Sequence, residues 1–99
     1  MVISGGLNVY PKEIELLIDS LPGVKESAVI GLPDADFGEV VVAVVVLVEG
    51  AALSSEDIRE AIRYRIANFK APKKVLLVDE LPRNTMGKVQ KDVLRKRYR

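Results

Sequence analysis

Lys88 directly follows a glycine in the run Pro82-Arg83-Asn84-Thr85-Met86-Gly87-Lys88-Val89-Gln90-Lys91. Gly87 can adopt backbone angles closed to other residues and lets the chain approach a ligand closely. A lysine held beside it is a movable ammonium point charge with three donors, suited to phosphate or carboxylate oxygens. A solvated lysine after a turn glycine has the same local pattern, so the pair alone decides nothing. Two further runs could bear chemistry. Near the N-terminus stands Ser4-Gly5-Gly6-Leu7-Asn8-Val9-Tyr10-Pro11-Lys12-Glu13-Ile14-Glu15. Before the last strand-like run stands Phe69-Lys70-Ala71-Pro72-Lys73-Lys74. Phe69 continues an apolar helical stripe, which fits a core role. The chain has no histidine and no cysteine. Thiolate chemistry, disulfides and the usual zinc and iron sites are therefore excluded, and no serine has a base partner.

The elements that must hold these residues are legible in the patterning. Pro11 suits a first helical turn, and Ile14, Leu17, Ile18 and Leu21 then recur on one helical face. Pro22-Gly23 ends that helix. Val24 to Leu32 reads as a strand, stopped by Pro33-Asp34. Glu39 to Glu49 encloses the apolar run Val40 to Val48, which predicts a central strand covered on both faces. Ser54-Ser55-Glu56-Asp57 has the capping-box form. Ile58, Ala61, Ile62, Arg65, Ile66 and Phe69 follow it on helical spacing. Pro72 stops the helix, Lys74 to Val78 reads as a third strand with Val75-Leu76-Leu77-Val78 in the core, and Lys88 to Tyr98 as a terminal helix. The expected fold is α+β. A three-stranded sheet is covered by helices in the order α-β-β-α-β-α, after a short glycine-bounded leading segment.

At 99 residues this is one small domain with a single core. Hydrophobic residues at 48% and charged residues at 29% are ordinary for a soluble domain. No apolar run reaches the length of a membrane helix, and the first residues lack the basic-then-apolar pattern of a signal peptide. A cysteine-free chain suits a reducing cytoplasm. The net charge of +1 conceals an asymmetry. Residues 1–68 carry 5 basic and 11 acidic side chains, residues 69–99 carry 10 basic and 3 acidic. The C-terminal third is thus suited to an anionic partner: nucleic acid, an anionic surface or a polyphosphate. A small basic binding module is one reading. Against nucleic acid, the tail has only Tyr98 as an aromatic and no groove-reading signature. No P-loop, Rossmann fingerprint or Ser/Thr/Gly-rich phosphate loop is present.

The two glycine-containing motifs together, at this separation, resemble the C-terminal domain of the AMP-forming acyl-CoA synthetases, within the adenylate-forming enzyme superfamily. The resemblance covers essentially the whole chain, residues 1–99. It implies a small mobile lid that follows a large ATP-binding domain absent from this sequence, with residue 1 just after the interdomain hinge. Such enzymes join a carboxylic acid to coenzyme A at the expense of ATP, releasing AMP and pyrophosphate. Mg²⁺ is expected with ATP, bound by the missing domain.

The resemblance assigns Lys88, with Gly87 before it, to the bridge between substrate carboxylate and α-phosphate during adenylation. Ser4, Gly5 and Gly6 correspond to the loop lining the pantetheine tunnel during thioester formation, where side chains would occlude the channel. Phe69 corresponds to an aromatic that in some members stacks on the CoA adenine, and Lys73 to a lysine that meets its phosphates. No metal ligand is assigned. The implied partners are the large domain, ATP, CoA, a small carboxylic acid, and a lysine acetyltransferase and deacetylase acting on Lys88; neither nucleic acid nor a membrane span is implied. The runs Pro33 to Glu39 and Arg83 to Lys91 look most like malonyl-CoA synthetases, with other acyl- and aryl-CoA ligases of the superfamily as the alternative. Acid choice lies mainly in the large domain.

Overall fold

The computed structural model describes residues 2–4, 7–36, 38–66 and 71–99, with residues 3, 4 and 7 described for their backbone only. The elements run β1 (Val2–Ser4), β2 (Leu7–Val9), α1 (Pro11–Asp19), β3 (Val24–Asp34), β4 (Gly38–Leu47), α2 (Ser55–Arg63), β5 (Lys74–Val78) and α3 (Lys91–Tyr98). The expected α-β-β-α-β-α order is present, and the leading segment adds the antiparallel pair β1–β2.

β4 is the organising strand. It pairs antiparallel with β3 along its whole length, from Asp34↔Gly38 to Val24↔Leu47. Its other edge is shared. β5 pairs parallel from Val42↔Lys74 to Val46↔Val78, and β1 meets β4 at Ser4↔Gly38. With a neighbour on each side and helices on both faces, β4 has no wet side, which is why its valines run unbroken. Val41, Ala43 and Val45 face a core that includes Ile14 and Ile18 of α1 and Ile58 and Ile62 of α2. Val42, Val44 and Val46 face the opposite core, with Leu94 of α3 and with Leu81, which follows β5.

The α2 capping box forms as the sequence predicts. Asp57 N–H donates to Ser54 Oγ at 3.1 Å and Ser54 N–H to Asp57 Oδ2 at 2.9 Å. α2 is shorter than its apolar spacing suggests. It ends at Arg63, and Arg65 N–H bonds the Ile62 carbonyl at 3.0 Å, a tight i→i+3 closure. The continuation of the stripe to Phe69 lies outside the described residues. α3 likewise begins at Lys91 rather than Lys88, because Val89 bridges antiparallel to Arg83 and Gln90 N–H donates to the Pro82 carbonyl at 2.8 Å. The β5 run is not uniformly core. Val75 is buried, whereas Leu77 is 41% exposed, because among the described residues β5 pairs with β4 alone.

β3 carries a register shift between Val24 and Glu26. From Glu26 onward its side chains alternate regularly, with Ala28, Ile30 and Leu32 in the α3-side core and Val29 in the α1-side core. Val24, which plain alternation would place with Ala28, instead packs on the α1 side. The extra residue of the bulge makes both placements possible and leaves Glu26 on the α3 face.

Candidate functional site

Lys88 lies on a short hairpin whose two arms are joined by the Arg83↔Val89 bridge. Asn84 builds the tip. Its Oδ1 accepts from Met86 N–H at 2.9 Å and from Lys88 N–H at 3.0 Å, and its own N–H donates to the Lys88 carbonyl at 3.0 Å. Gly87 N–H closes the turn onto the Asn84 carbonyl at 3.0 Å. Both backbone polar groups of Lys88 are therefore occupied within the hairpin, and its exposed side chain is what remains to meet a ligand. Gly87 has φ +80°, and a Cβ there would meet no atom within 4 Å. Backbone angle, not crowding, favours glycine at that position.

The hairpin is fastened to the sheet by Arg83. One guanidinium nitrogen donates to the Gly87 carbonyl at 2.6 Å and the other to the carboxylate of Glu26. Leu81 is buried below it, and Val89 packs against the same core. A depression of about 260 Å³ opens beside Lys88, lined by Asn84, Val89, Gln90, Lys91 and Asp92. Neither Asn84, Arg83 nor Glu26 was marked as functional by the sequence. An Asn at the start of a glycine-containing turn is a signal for such side-chain to backbone bonding. Glu26 has none, because it lies 57 residues from Arg83.

Ser4 is placed by its backbone at the opposite end of the sheet, paired with Gly38. Gly5, Gly6 and Phe69 lie outside the described residues. Lys73 is positioned by its N–H, which donates to the Val41 carbonyl at 2.8 Å, and its side chain is exposed. It borders a cavity of about 280 Å³ that also brings together Lys74, Tyr98 and Arg99 over Leu32 and Val42. The sequence marked the basic C-terminal third as suited to an anion, but not this convergence of its last residues with Lys73. The candidate residues thus do not form one cluster. Gly38, beside Ser4, aligns with Asp34 of β3, whereas the Lys88 hairpin is fastened near Glu26. Along β3 these points lie about 25 Å apart at roughly 3.3 Å per residue.

Among the described residues no group of three or more His, Cys, Asp or Glu side chains could hold a metal ion, and no helix is long and apolar enough to cross a membrane.

A family model for the AMP-binding enzyme C-terminal domain matches residues 13–88, a span that includes most of α1, the whole β3–β4 pair and the Gly87-Lys88 turn. The chain belongs to this family. A propanoyl:CoA ligase of Rhodococcus jostii, acting on a methyl-dioxo-octahydroindenyl acid by its full name, is 54% identical over 96% of this chain and 18% of its own length. The long-chain-fatty-acid–CoA ligase FadD13 of Mycobacterium tuberculosis is 50% identical over 99% of this chain and 19% of its own. Among solved structures, ATP-bound MatB from Rhodopseudomonas palustris superposes with a TM-score of 0.97 at 60% identity, over 99% of this chain and 20% of that one. This AMP-binding enzyme C-terminal domain therefore spans about a fifth of the length of each of these relatives.

Proposed function

We propose that the chain is the mobile lid of an AMP-forming acid–CoA ligase and that Lys88 is its adenylating residue. In the first half-reaction a carboxylate oxygen attacks the α-phosphorus of ATP, and the bond to pyrophosphate breaks. Two anions meet at that point, so positive charge is needed there more than an acid or base. Lys88, on a hairpin whose backbone is internally bonded, can supply it. In the second half-reaction the CoA thiol attacks the acyl carbon, loses its proton, and AMP departs. Ser4, Gly5 and Gly6 would then line the channel for the pantetheine arm, and Lys73 would face the CoA phosphates. Mg²⁺ accompanies ATP as a counter-charge to the triphosphate and is assigned to the large domain.

The observation that carries this reading is the separation of about 25 Å between the Lys88 hairpin and the β1 end of the sheet. One reacting centre cannot touch both at once. A body that presents one end for adenylation and the other for thioester formation uses both. The large ATP-binding domain, the whole enzyme's activity and a cytoplasmic location belong to the same proposal. Acylation of the exposed Lys88 ammonium by a lysine acetyltransferase would remove its charge and silence the first step.

For the acid, we favour malonate or methylmalonate, on the likeness of the runs Pro33 to Glu39 and Arg83 to Lys91 to malonyl-CoA synthetases. Relatives named for a fatty acid and for a polycyclic propanoate are 50% and 54% identical. Lids this alike serve different acids, which agrees with acid choice residing in the large domain.

The test is Lys88→Ala in the full-length enzyme, with the two half-reactions assayed separately. Adenylation is expected to fall by two to three orders of magnitude, the usual effect of losing one such electrostatic contact. Thioester formation from supplied acyl-adenylate and CoA is expected to stay within a few-fold. Adenylation at near wild-type rate would remove Lys88 from the reaction.

A further inference from the structure

We propose that Glu26 is a positioning residue for Lys88, acting through Arg83, whose guanidinium spans the Glu26 carboxylate and the Gly87 carbonyl. This rests on the reading of Lys88 as the adenylating lysine.

The hydrogen bonds made by Asn84 fix the shape of the hairpin but not its direction, because both partners of each bond lie between Asn84 and Lys88. Direction requires a tie to the body of the domain. At the base, buried Leu81 and the packed Val89 supply apolar contact, which is non-directional. At the tip, the Arg83 guanidinium supplies a directional one. Its planar fork fixes two acceptors in relation to each other. One acceptor is the carbonyl of the residue directly before Lys88, and the other is a carboxylate on a strand in the core of the fold.

Regular alternation with Ala28 and Ile30 puts Glu26 on the face where the hairpin lies, and the β3 bulge before it turns Val24 to the other core. Without the extra residue the strand could not place Val24 in the α1-side core and Glu26 on the α3 side. The Glu26 side chain is 24% exposed and that of Arg83 42%. A pair this open adds little to global stability. Its effect is on where the lysine points, and a misplacement of about 1 Å at a reacting centre can cost 10²-fold in rate.

Glu26→Gln keeps the size of the side chain and removes the charge that orients Arg83. In the full-length enzyme, adenylation kcat is expected to fall about ten-fold with KM values for ATP and acid within about two-fold, the pattern of a contact that matters in the transition state. Thioester formation from supplied adenylate should be unchanged, and the unfolding midpoint should move by less than about 4 °C. Arg83→Gln should give a similar loss, and the double variant no more than the larger single one, since both act through one bridge. Lys88→Ala is the reference. If Lys88→Ala leaves adenylation intact, the underlying reading fails. If Lys88→Ala abolishes it but Glu26→Gln stays within two-fold of wild type, the positioning role alone is refuted. Equal loss in both half-reactions, or strictly additive losses in the double variant, would refute it as well.

Discussion

Lys91 Nζ lies 2.8 Å from Oε2 of Glu15, joining helices on opposite faces of the sheet. α1 packs on one core through Ile14 and Ile18, and α3 on the other through Leu94. The ion pair passes around the outer edge of β3, where the same Glu15 oxygen accepts Val29 N–H at 2.8 Å. One carboxylate thereby closes an edge that would otherwise offer a free donor, and holds α3 by its first turn. The Glu15 side chain is only 14% exposed.

Glu15→Ala should accordingly destabilise the domain by about 1–3 kcal/mol, because it strands a partly buried N–H and a lysine together. Glu15→Gln keeps an acceptor for Val29 and should cost less. Urea unfolding of the three proteins orders them. Equal stability of wild type and Glu15→Ala would show that water replaces the carboxylate without cost.

Leu94 is the one fully buried side chain of α3. Leu94→Ala should cost about 2–5 kcal/mol, the usual range for a buried leucine. Fluorescence- or circular-dichroism-monitored denaturation reads it directly. A loss below 1 kcal/mol would mean that the surrounding core of Ala28, Ile30 and Val44 collapses into the space.

Lys73→Ala should raise KM for CoA in the full-length enzyme while leaving adenylation and kcat nearly unchanged. A point charge on a phosphate far from the reacting atoms contributes equally to ground and transition states. Steady-state kinetics with CoA varied decides it, and an unaltered KM would leave Lys73 as a border of its cavity only.

Gly5→Leu should block thioester formation while sparing adenylation, since added bulk in the proposed pantetheine channel matters only to the second half-reaction. Separate assay of the two half-reactions distinguishes this from general damage, in which both would fall together.

Most of the fold could be read from local chemistry. Pro11 and the Ile14/Ile18 spacing announce α1, the Ser54/Asp57 pair announces α2, and a nine-residue apolar run has only one comfortable place, in mid-sheet. The features that escaped are those set by distant partners. Strands as short as Val2–Ser4 and Leu7–Val9 carry too few residues for a period to show, and they exist because each has a neighbour to pair with. The bulge after Val24 answers to two cores at once, which no window of sequence contains. Of the candidate site, Gly87-Lys88 stood out by residue type. Asn84 carried a local turn signal, whereas the bridge from Arg83 to Glu26 became visible only when β3 was seen beside the hairpin.

If the domain turns as proposed, the distance between the two ends of β3 makes it a lever. For an axis passing near Ser4, an arm of about 25 Å moves its far tip by about 4 Å for every 10° of turn. A displacement of that size already exceeds hydrogen-bonding reach, which ends near 3.2 Å for N–H···O contacts. A turn of about 10° would thus carry Lys88 away from a bound phosphate while the Ser4 end, beside the axis, stays close to where it was. Adenylation would be switched off by a small rotation about such an axis, with little displacement of the β1 end.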